Sequence, residues 1–376
     1  MTIAGYYTTQ QNRSRTVSGF PEVADAGAVA AVVSKTRKSL PTVSFELYPP
    51  RTTNPQSSVW ERLDRLIKAA PDWVSVTYGA SGSTTGNSQL VLDRVAKLGT
   101  VPAVAHLTCI GATEEQLDCQ ITSMLNSGVR NFLALRGDIP GGQVDWRPGP
   151  GEYIRAVQLV ELIRKVAARE LPDGVGHHRN GTGIDTAKNP ADYVSISVAC
   201  YPAAKGQGRR NDIAALIEKQ TAGADYAITQ VFYDVDDYAS LHRQAQVAGV
   251  SMPIIAGIIP LTDLKRLHRL ESLTGVQVPQ WLESIFDEPD ARIRVHRLLK
   301  ATFDLCQKTV ASGAPGLHVY TFNRPRPTLD VLQYIRAGGF PDIPADSRMP
   351  VQGRRNDRQI DMELIDEALN RITPGG

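Results

Sequence analysis

Eight short runs of β-branched and aromatic residues recur along this chain, each followed by a helical pattern or a long connection, and this rhythm restricts the fold more than any other feature. The runs cover 42–48, 73–79, 103–109, 131–137, 194–201, 226–233, 253–259 and 316–322. Strands that alternate with helices form parallel sheets, and eight such units close into an α/β structure of the (β/α)8, or TIM, barrel type. The competing architecture is a doubly wound sheet. If it bound a dinucleotide it would carry a GxGxxG turn after its first strand, and here Pro49-Pro50 follows instead. The 376 residues suffice for one large barrel with additions, or for two ordinary domains.

The rhythm divides the chain into a flexible N-terminal extension (1–40), a barrel (41–324) and a C-terminal tail (325–376). In the tail Ile360, Leu364, Ala368 and Ile372 share one helical face, which predicts an amphipathic docking helix. The small apolar stretch Ala26 to Val33 resembles the core of a signal peptide, but Glu22 and Asp25 precede it, so a surface helix is the expectation. Residues 171–192 read as a flexible insertion, and 261–315 should hold two or more helices. The hexapeptide Gln207-Gly208-Arg209-Arg210-Asn211-Asp212 recurs at 352–357, a repeat best read as coincidence.

Composition excludes several classes. A net charge of +2 offers no electrostatic footprint for nucleic acid or an anionic membrane surface. No apolar run is long enough to predict a transmembrane helix. Cys109, Cys119, Cys200 and Cys306 form no CxxC and no metal-ligand spacing, as expected of a reduced cytoplasmic protein. His177-His178 has no third ligand nearby in sequence, so no metal site is expected.

Barrels of this kind place their chemistry at the carboxyl ends of the strands. There the first strand offers Glu46, embedded in Val43-Ser44-Phe45-Glu46-Leu47-Tyr48. Glu is disfavoured in strands, and a buried one either pairs with a cation or acts as an acid whose pKa burial has raised. The second strand ends in Thr77-Tyr78, followed by the small hydroxyl-bearing loop 79–85, suited to phosphates or a polar ligand edge. His106 and Thr108 end the third strand, Arg136-Gly137-Asp138 the fourth, Cys200-Tyr201 the fifth and Thr229-Gln230 the sixth. The eighth finishes Tyr320-Thr321-Phe322-Asn323-Arg324. Two carboxylates on different strands can serve as proton donor and as an anion facing a developing cation. Gln230 can both donate and accept at a heterocycle edge, and Arg324 can clamp a carboxylate or phosphate. Each also has a plainer reading: Thr77 and Thr108 as strand residues, His106 as a core histidine, and Arg136 as the partner of Asp138.

In this order the segments Ser44-Phe45-Glu46-Leu47-Tyr48-Pro49-Pro50, Val74-Ser75-Val76-Thr77-Tyr78-Gly79-Ala80, His106-Leu107-Thr108-Cys109, Leu133-Ala134-Leu135-Arg136-Gly137-Asp138, Val198-Ala199-Cys200-Tyr201-Pro202, Ala222-Gly223-Ala224-Asp225, Ile228-Thr229-Gln230 and Tyr320-Thr321-Phe322-Asn323-Arg324 resemble the methylenetetrahydrofolate reductase family. The resemblance runs from about residue 42 to residue 324. It implies a barrel that reduces 5,10-methylenetetrahydrofolate to 5-methyltetrahydrofolate with NADH or NADPH, in one-carbon metabolism. It implies that Glu46 protonates the folate N10 and opens the ring to a 5-iminium cation, that Asp138 holds the pterin and favours that cation, and that Gln230, Arg324 and Tyr201 bind substrate. Cofactor binding falls by the same resemblance to Thr77, Tyr78, His106, Arg136, Gly137, Asp212 and Lys219.

The family also implies FAD, and here the sequence departs from the pattern. Ala203-Ala204-Lys205 follows Tyr201-Pro202 where a Glu and a His are usual. Glu218 stands where a basic residue can lie near a pyrophosphate, Ile154 where a small residue is common, Ser81-Gly82 where a glycine pair is usual and Leu264 where an aromatic ring often stacks. Two mechanisms stand open on these residues: retained FAD, or a reduced nicotinamide in its place that passes hydride directly to the iminium. Two other functions compete with the reductase, a folate-dependent one-carbon transferase and a non-catalytic folate sensor.

Overall fold

The structure is a computed structural model, and it describes residues 29–35, 41–54, 57–77, 85–99, 101–139, 147–171, 178–179, 183–184 and 194–336. The eight sequence runs supply the eight strands of one closed parallel barrel. These are β1 (Thr42–Leu47), β2 (Trp73–Val76), β3 (Ala103–Thr108), β4 (Asn131–Leu135), β5 (Ser195–Cys200), β6 (Tyr226–Thr229), β7 (Ile254–Ile258) and β8 (Gly316–Tyr320). Each pairs with its neighbours in chain order, and β8 closes on β1 with Glu46 opposite Tyr320. The strands stop one to four residues short of the ends expected from sequence. At the mouth the chain leaves the ladder; Gly137, for example, sits at φ 88° beyond the end of β4.

Alternation along each strand sorts the side chains. Val43, Phe45 and Leu47 of β1, Val74 and Val76 of β2, and Ile196 and Val198 of β5 join the main core cluster together with residues of the surrounding helices. The opposite set lines the barrel, and much of it is polar: Ser44, Glu46, Ser75, His106, Ser197 and His318, all buried. Polar atoms in that position need partners. His318 finds them in Ser44, whose Oγ is 2.8 Å from Nδ1, and in Ser75, 3.3 Å from Nε2, with its ring stacked on Trp73.

The surrounding helices are α2 (Ser58–Lys68), α3 (Thr85–Leu98), α4 (Glu114–Asn126), α5 (Ala156–Glu170), α6 (Gly206–Thr221) and α7 (Val235–Val247). Between β7 and β8 come α8 (Leu264–Thr274), α9 (Gln280–Phe286) and α10 (Ala291–Ala311), in line with the expectation of two or more helices there. The sequence marks several starts clearly: Thr113 and Gln116 form a reciprocal capping box at α4, and Asp290 caps α10.

Two expectations are corrected. The apolar stretch expected as a surface helix contributes α1 (Val29–Lys35), whose Val29, Ala30 and Val33 are buried against Trp73, Val104, Leu133 and Tyr226. These partners lie on the interior-facing side of their strands, so α1 plugs the barrel at the end away from the mouth. A short amphipathic segment reads the same in sequence whether its apolar face meets a surface groove or a barrel floor. The second correction concerns the boundary at residue 324. The next helix, α11 (Pro325–Arg336), buries Val331, Leu332 and Ile335 in the main core and packs on α2, so it is the barrel's last helix rather than part of the tail. The expected helix through Ile360–Ile372, the repeat at 352–357 and His177 lie outside the described residues, while His178 falls in a two-residue strand (His178–Arg179) paired with Gly183–Ile184.

Candidate active site

The period of two along β1 carries Thr42, Ser44 and Glu46 to the barrel interior, and Glu46, last in line, reaches the mouth only 7 % exposed. Burial pushes its carboxyl up from 4.5 to about 7, opposed by a hydrogen bond from the Tyr48 hydroxyl. His106 of β3 lies across the barrel, with Nε2 3.7 Å from a Glu46 oxygen. That distance is long for a hydrogen bond, and burial holds the imidazole down to about 3, so it is neutral. The two form no ion pair near neutral pH, and His106 Nε2 is a buried polar atom without a hydrogen-bond partner. The reading of Glu46 as one half of a structural ion pair therefore finds no cation here.

On the β8 side the chain is tied tightly to β1. Thr321 Oγ1 donates to the Glu46 carbonyl at 2.6 Å. The Asn323 side chain accepts from the Tyr48 N–H at 2.9 Å and donates to the Tyr48 carbonyl at 2.6 Å. Tyr320 donates to the Thr229 carbonyl at 2.7 Å, across the strand between. That reach depends on Gly257: a Cβ there would lie 2.1 Å from the Thr229 carbonyl oxygen and 2.7 Å from the Tyr320 hydroxyl. Tyr48 stacks on Phe322 with ring centroids 5.2 Å apart, and the Arg266 guanidinium lies over the same Phe322 ring at 4.4 Å. Arg324 reaches Asp263 at 3.3 Å, and the Asp263 side chain also caps the start of α8.

The β4–β5 side is more open. Arg136 and Asp138 are exposed at the mouth, with Gly137 between them in a left-handed conformation. A side chain on Gly137 would come within 2.9 Å of Thr108. Asp138 forms no ion pair among the described residues, so Arg136 is not its salt-bridge partner. The Tyr201 ring is half exposed, and it feels Asp212 together with Arg136 and Asp138. Gln230 is half-buried at the end of β6, and its amide oxygen accepts from the Val231 N–H at 2.8 Å. Thr77, one residue beyond the end of β2, continues the β1–β2 ladder with its N–H on the Leu47 carbonyl at 3.0 Å. Tyr78 lies outside the described residues.

Asp212 and Lys219 of α6 come together below Tyr201, and both groups are already engaged. The Asp212 carboxylate accepts from the Tyr201 N–H at 2.9 Å, and Lys219 Nζ donates to the Ala199 carbonyl at 2.9 Å. Burial raises the acid and lowers the lysine from their ordinary values. Glu218 pairs with Arg155 on the outer face, and Ile154 is 42 % exposed beside it. Leu264 packs into the cluster under α8 and α10. Among the described residues there is no group of His, Cys, Asp and Glu fit for a metal ion, and no helix is long and apolar enough to cross a membrane.

Sequence reading missed Tyr48, Phe322, Asn323 and Arg266. For Tyr48 a signal existed: it stands two residues after Glu46, on the same side of the extended chain. Nothing in sequence signals Arg266, whose place is set by where α8 docks.

A family model described as methylenetetrahydrofolate reductase matches residues 32–336. A 5,10-methylenetetrahydrofolate reductase of Escherichia coli is 32% identical over 287 residues, covering 75% of this chain and 86% of that protein. A probable methylenetetrahydrofolate reductase (NADH) of Oryza sativa is 31% identical over 307 residues, covering 78% of this chain and 48% of the relative. The chain thus spans about half the length of its plant relatives. Among solved structures, a Clostridium thermocellum protein described as binding two copies of 5-methyl-5,6,7,8-tetrahydrofolic acid superposes with a TM-score of 0.50 at 15% identity, over 75% of this chain and 88% of that one. At that identity the likeness concerns the fold alone.

Proposed function

This chain belongs to the methylenetetrahydrofolate reductase family, and from that premise we propose that its barrel mouth reduces 5,10-methylenetetrahydrofolate to 5-methyltetrahydrofolate with NADH. The observation that carries the reading is Glu46, a buried carboxyl without a cationic partner among the described residues, whose proton is held to about 7 at the carboxyl end of the barrel. An acid of that strength is protonated in useful amount at neutral pH and still gives its proton up.

In this reading Glu46 delivers its proton to the folate N10. The bond from N10 to the bridging methylene breaks, and the electron pair of N5 forms the iminium. Hydride from the reduced nicotinamide adds to the methylene carbon, giving the methyl group and oxidised nicotinamide. Asp138, exposed at the mouth and without an ion pair among the described residues, supplies the anion that keeps the cation close. Gln230 holds the pterin edge, Arg324 and Tyr201 position the rest of the substrate, and Thr77, His106, Arg136 and Gly137 line the nicotinamide side.

The residues present do not fit a flavin. Asp212 and Lys219 spend their polar groups on the backbone of β5 and its continuation, and Glu218, where the resemblance places a basic residue near a pyrophosphate, is an acid that already takes up Arg155. Hydride passes directly between nicotinamide and iminium, which requires the two carbons in near-attack contact.

The test is NADH oxidation on adding 5,10-methylenetetrahydrofolate to purified protein whose absorption spectrum carries no flavin. Folate-dependent oxidation is the expected result. Silence that FAD relieves would overturn direct transfer but keep the reductase, and silence with FAD as well would turn the reading toward a transferase or a folate sensor.

A further inference from the structure

Burial alone leaves Glu46 with a difficulty in any acid step. Once its proton is gone, a carboxylate remains inside a low-dielectric barrel, where an uncompensated charge is costly. The groups around it are few. Ser75 on β2, its neighbour in the ladder, is uncharged. His106 on β3 is neutral, as is His318 deeper in the barrel. Tyr320 on β8 directs its hydroxyl to the Thr229 carbonyl and not to Glu46. Among the described residues, the hydroxyl that acts on the Glu46 carboxyl is that of Tyr48, two residues further along the same extended chain.

Tyr48 is held at the mouth through both its backbone and its ring. Asn323 grips both its N–H and its carbonyl. Its ring lies nearly parallel to Phe322, 9° between planes, and the Arg266 guanidinium lies over the Phe322 ring at 4.4 Å. Phe322 and Asn323 hold left-handed φ values of 48° and 56°, a conformation that a bulky residue such as Phe adopts only when its surroundings enforce it. Burial, and after it the neighbouring Glu46, push the Tyr48 hydroxyl well above its ordinary range, with Arg266 opposing, so the hydroxyl keeps its proton and stays a donor.

We propose that Tyr48 is a positioning residue for the acid step, its hydroxyl holding the carboxylate that Glu46 becomes on releasing its proton, with the Phe322 and Arg266 layers fixing the ring for that purpose. The proposal rests on the reading of Glu46 as the proton donor. The step balances simply: the proton leaves a Glu46 oxygen for the substrate nitrogen, and the charge left behind is met by the Tyr48 O–H, which is not itself transferred.

The proton on Glu46 can be followed without any turnover, by infrared difference titration of its carboxyl band, assigned by the loss of that band in Glu46→Gln. In Tyr48→Phe the ring and its stack remain and only the donor goes. The titration midpoint is expected to rise by about one pH unit, the worth of a hydrogen bond to a charged group. Phe322→Leu, which leaves Tyr48 its hydroxyl but not its platform, is expected to shift the midpoint the same way by less. In turnover the alkaline fall of kcat/KM should move upward with the infrared midpoint, which a residue that merely stabilises the fold would not cause. An unchanged or lowered midpoint in Tyr48→Phe overturns the proposal whatever Phe322→Leu does. If the midpoint shifts while the wild-type protein fails to oxidise NADH with the folate, the reductase reading falls and the hold of Tyr48 on Glu46 stands.

Discussion

The two sides of the barrel mouth are built on opposite plans. At the β8–β1 seam the polar groups are buried and cross-linked: three hydrogen bonds of 2.6 to 2.9 Å tie Thr321 to the Glu46 carbonyl and the Asn323 side chain to the Tyr48 N–H and carbonyl. At the β4–β5 seam Arg136, Asp138 and Tyr201 stand in solvent, and the buried pair beneath them, Asp212 and Lys219, serves the backbone. A proton donor needs low dielectric and fixed geometry, which the first seam supplies. A surface that admits and releases a large polar ligand needs open, unspent groups, which the second supplies. Chemistry at one seam and docking at the other is the division this contrast suggests.

The contrast can be broken most severely at the acid itself. Glu46→Gln should lower folate-dependent NADH oxidation by about a hundredfold to ten-thousandfold, the range for losing a general acid, while folate binding measured by calorimetry survives. Equal loss of binding and turnover would make Glu46 a binding or structural residue. Next comes the packing that supports this seam. Gly257→Ala places a methyl group against the Thr229 carbonyl and the Tyr320 hydroxyl, and should cost about 3 kcal/mol in chemical denaturation. A cost near zero would mean that the Tyr320 link is dispensable.

Glu46→Gln also sharpens the comparison through stability. The folded pKa of Glu46, about 7, lies above its ordinary 4.5, so the folded state favours the proton. The acid's contribution to stability is therefore fully present below 4.5, is lost as pH rises through 7, and stays lost above. The neutral amide should make the protein more stable than wild type at pH 8, by up to about 3 kcal/mol, with the advantage gone near pH 4. A difference independent of pH would show that burial does not raise this carboxyl. The smallest effect is expected on the open side. Glu218→Gln removes an ion pair with Arg155 in which both side chains are about half exposed, and should change stability by no more than about 0.5 kcal/mol. A larger loss would mean that the outer face of α5 and α6 is less solvated than it stands here.

Much of this arrangement could be read in advance, and the parts that could not share a cause. The eight strands followed from local composition, because a strand buried on one face by helices and on the other by the barrel interior must be apolar and β-branched over most of its length. Glu46, His106, Asp138 and Gln230 could be named because a polar residue at the carboxyl end of such a run is conspicuous, and the barrel gathers those ends. Tyr48 escaped although it sits two residues from Glu46, because a tyrosine before Pro-Pro looks like an ordinary strand terminus. The partnership of Arg136 with Asp138, plausible at a spacing of two, fails because the left-handed turn at Gly137 separates them.

By itself, then, the sequence determined the alternation of strand and helix, the identity of the polar residues at each strand end and the order in which they meet the mouth, since all of these are written in contiguous residues. Only the tertiary structure decided which polar groups are spent and which are free. Asp212 and Lys219 turn to the backbone of the β5 end, Glu46 is left without a cation, α1 closes the floor, and Arg266 settles over Phe322. Each of these depends on which distant segment arrives alongside, and burial and electrostatics are set by such neighbours rather than by the residues next along the chain.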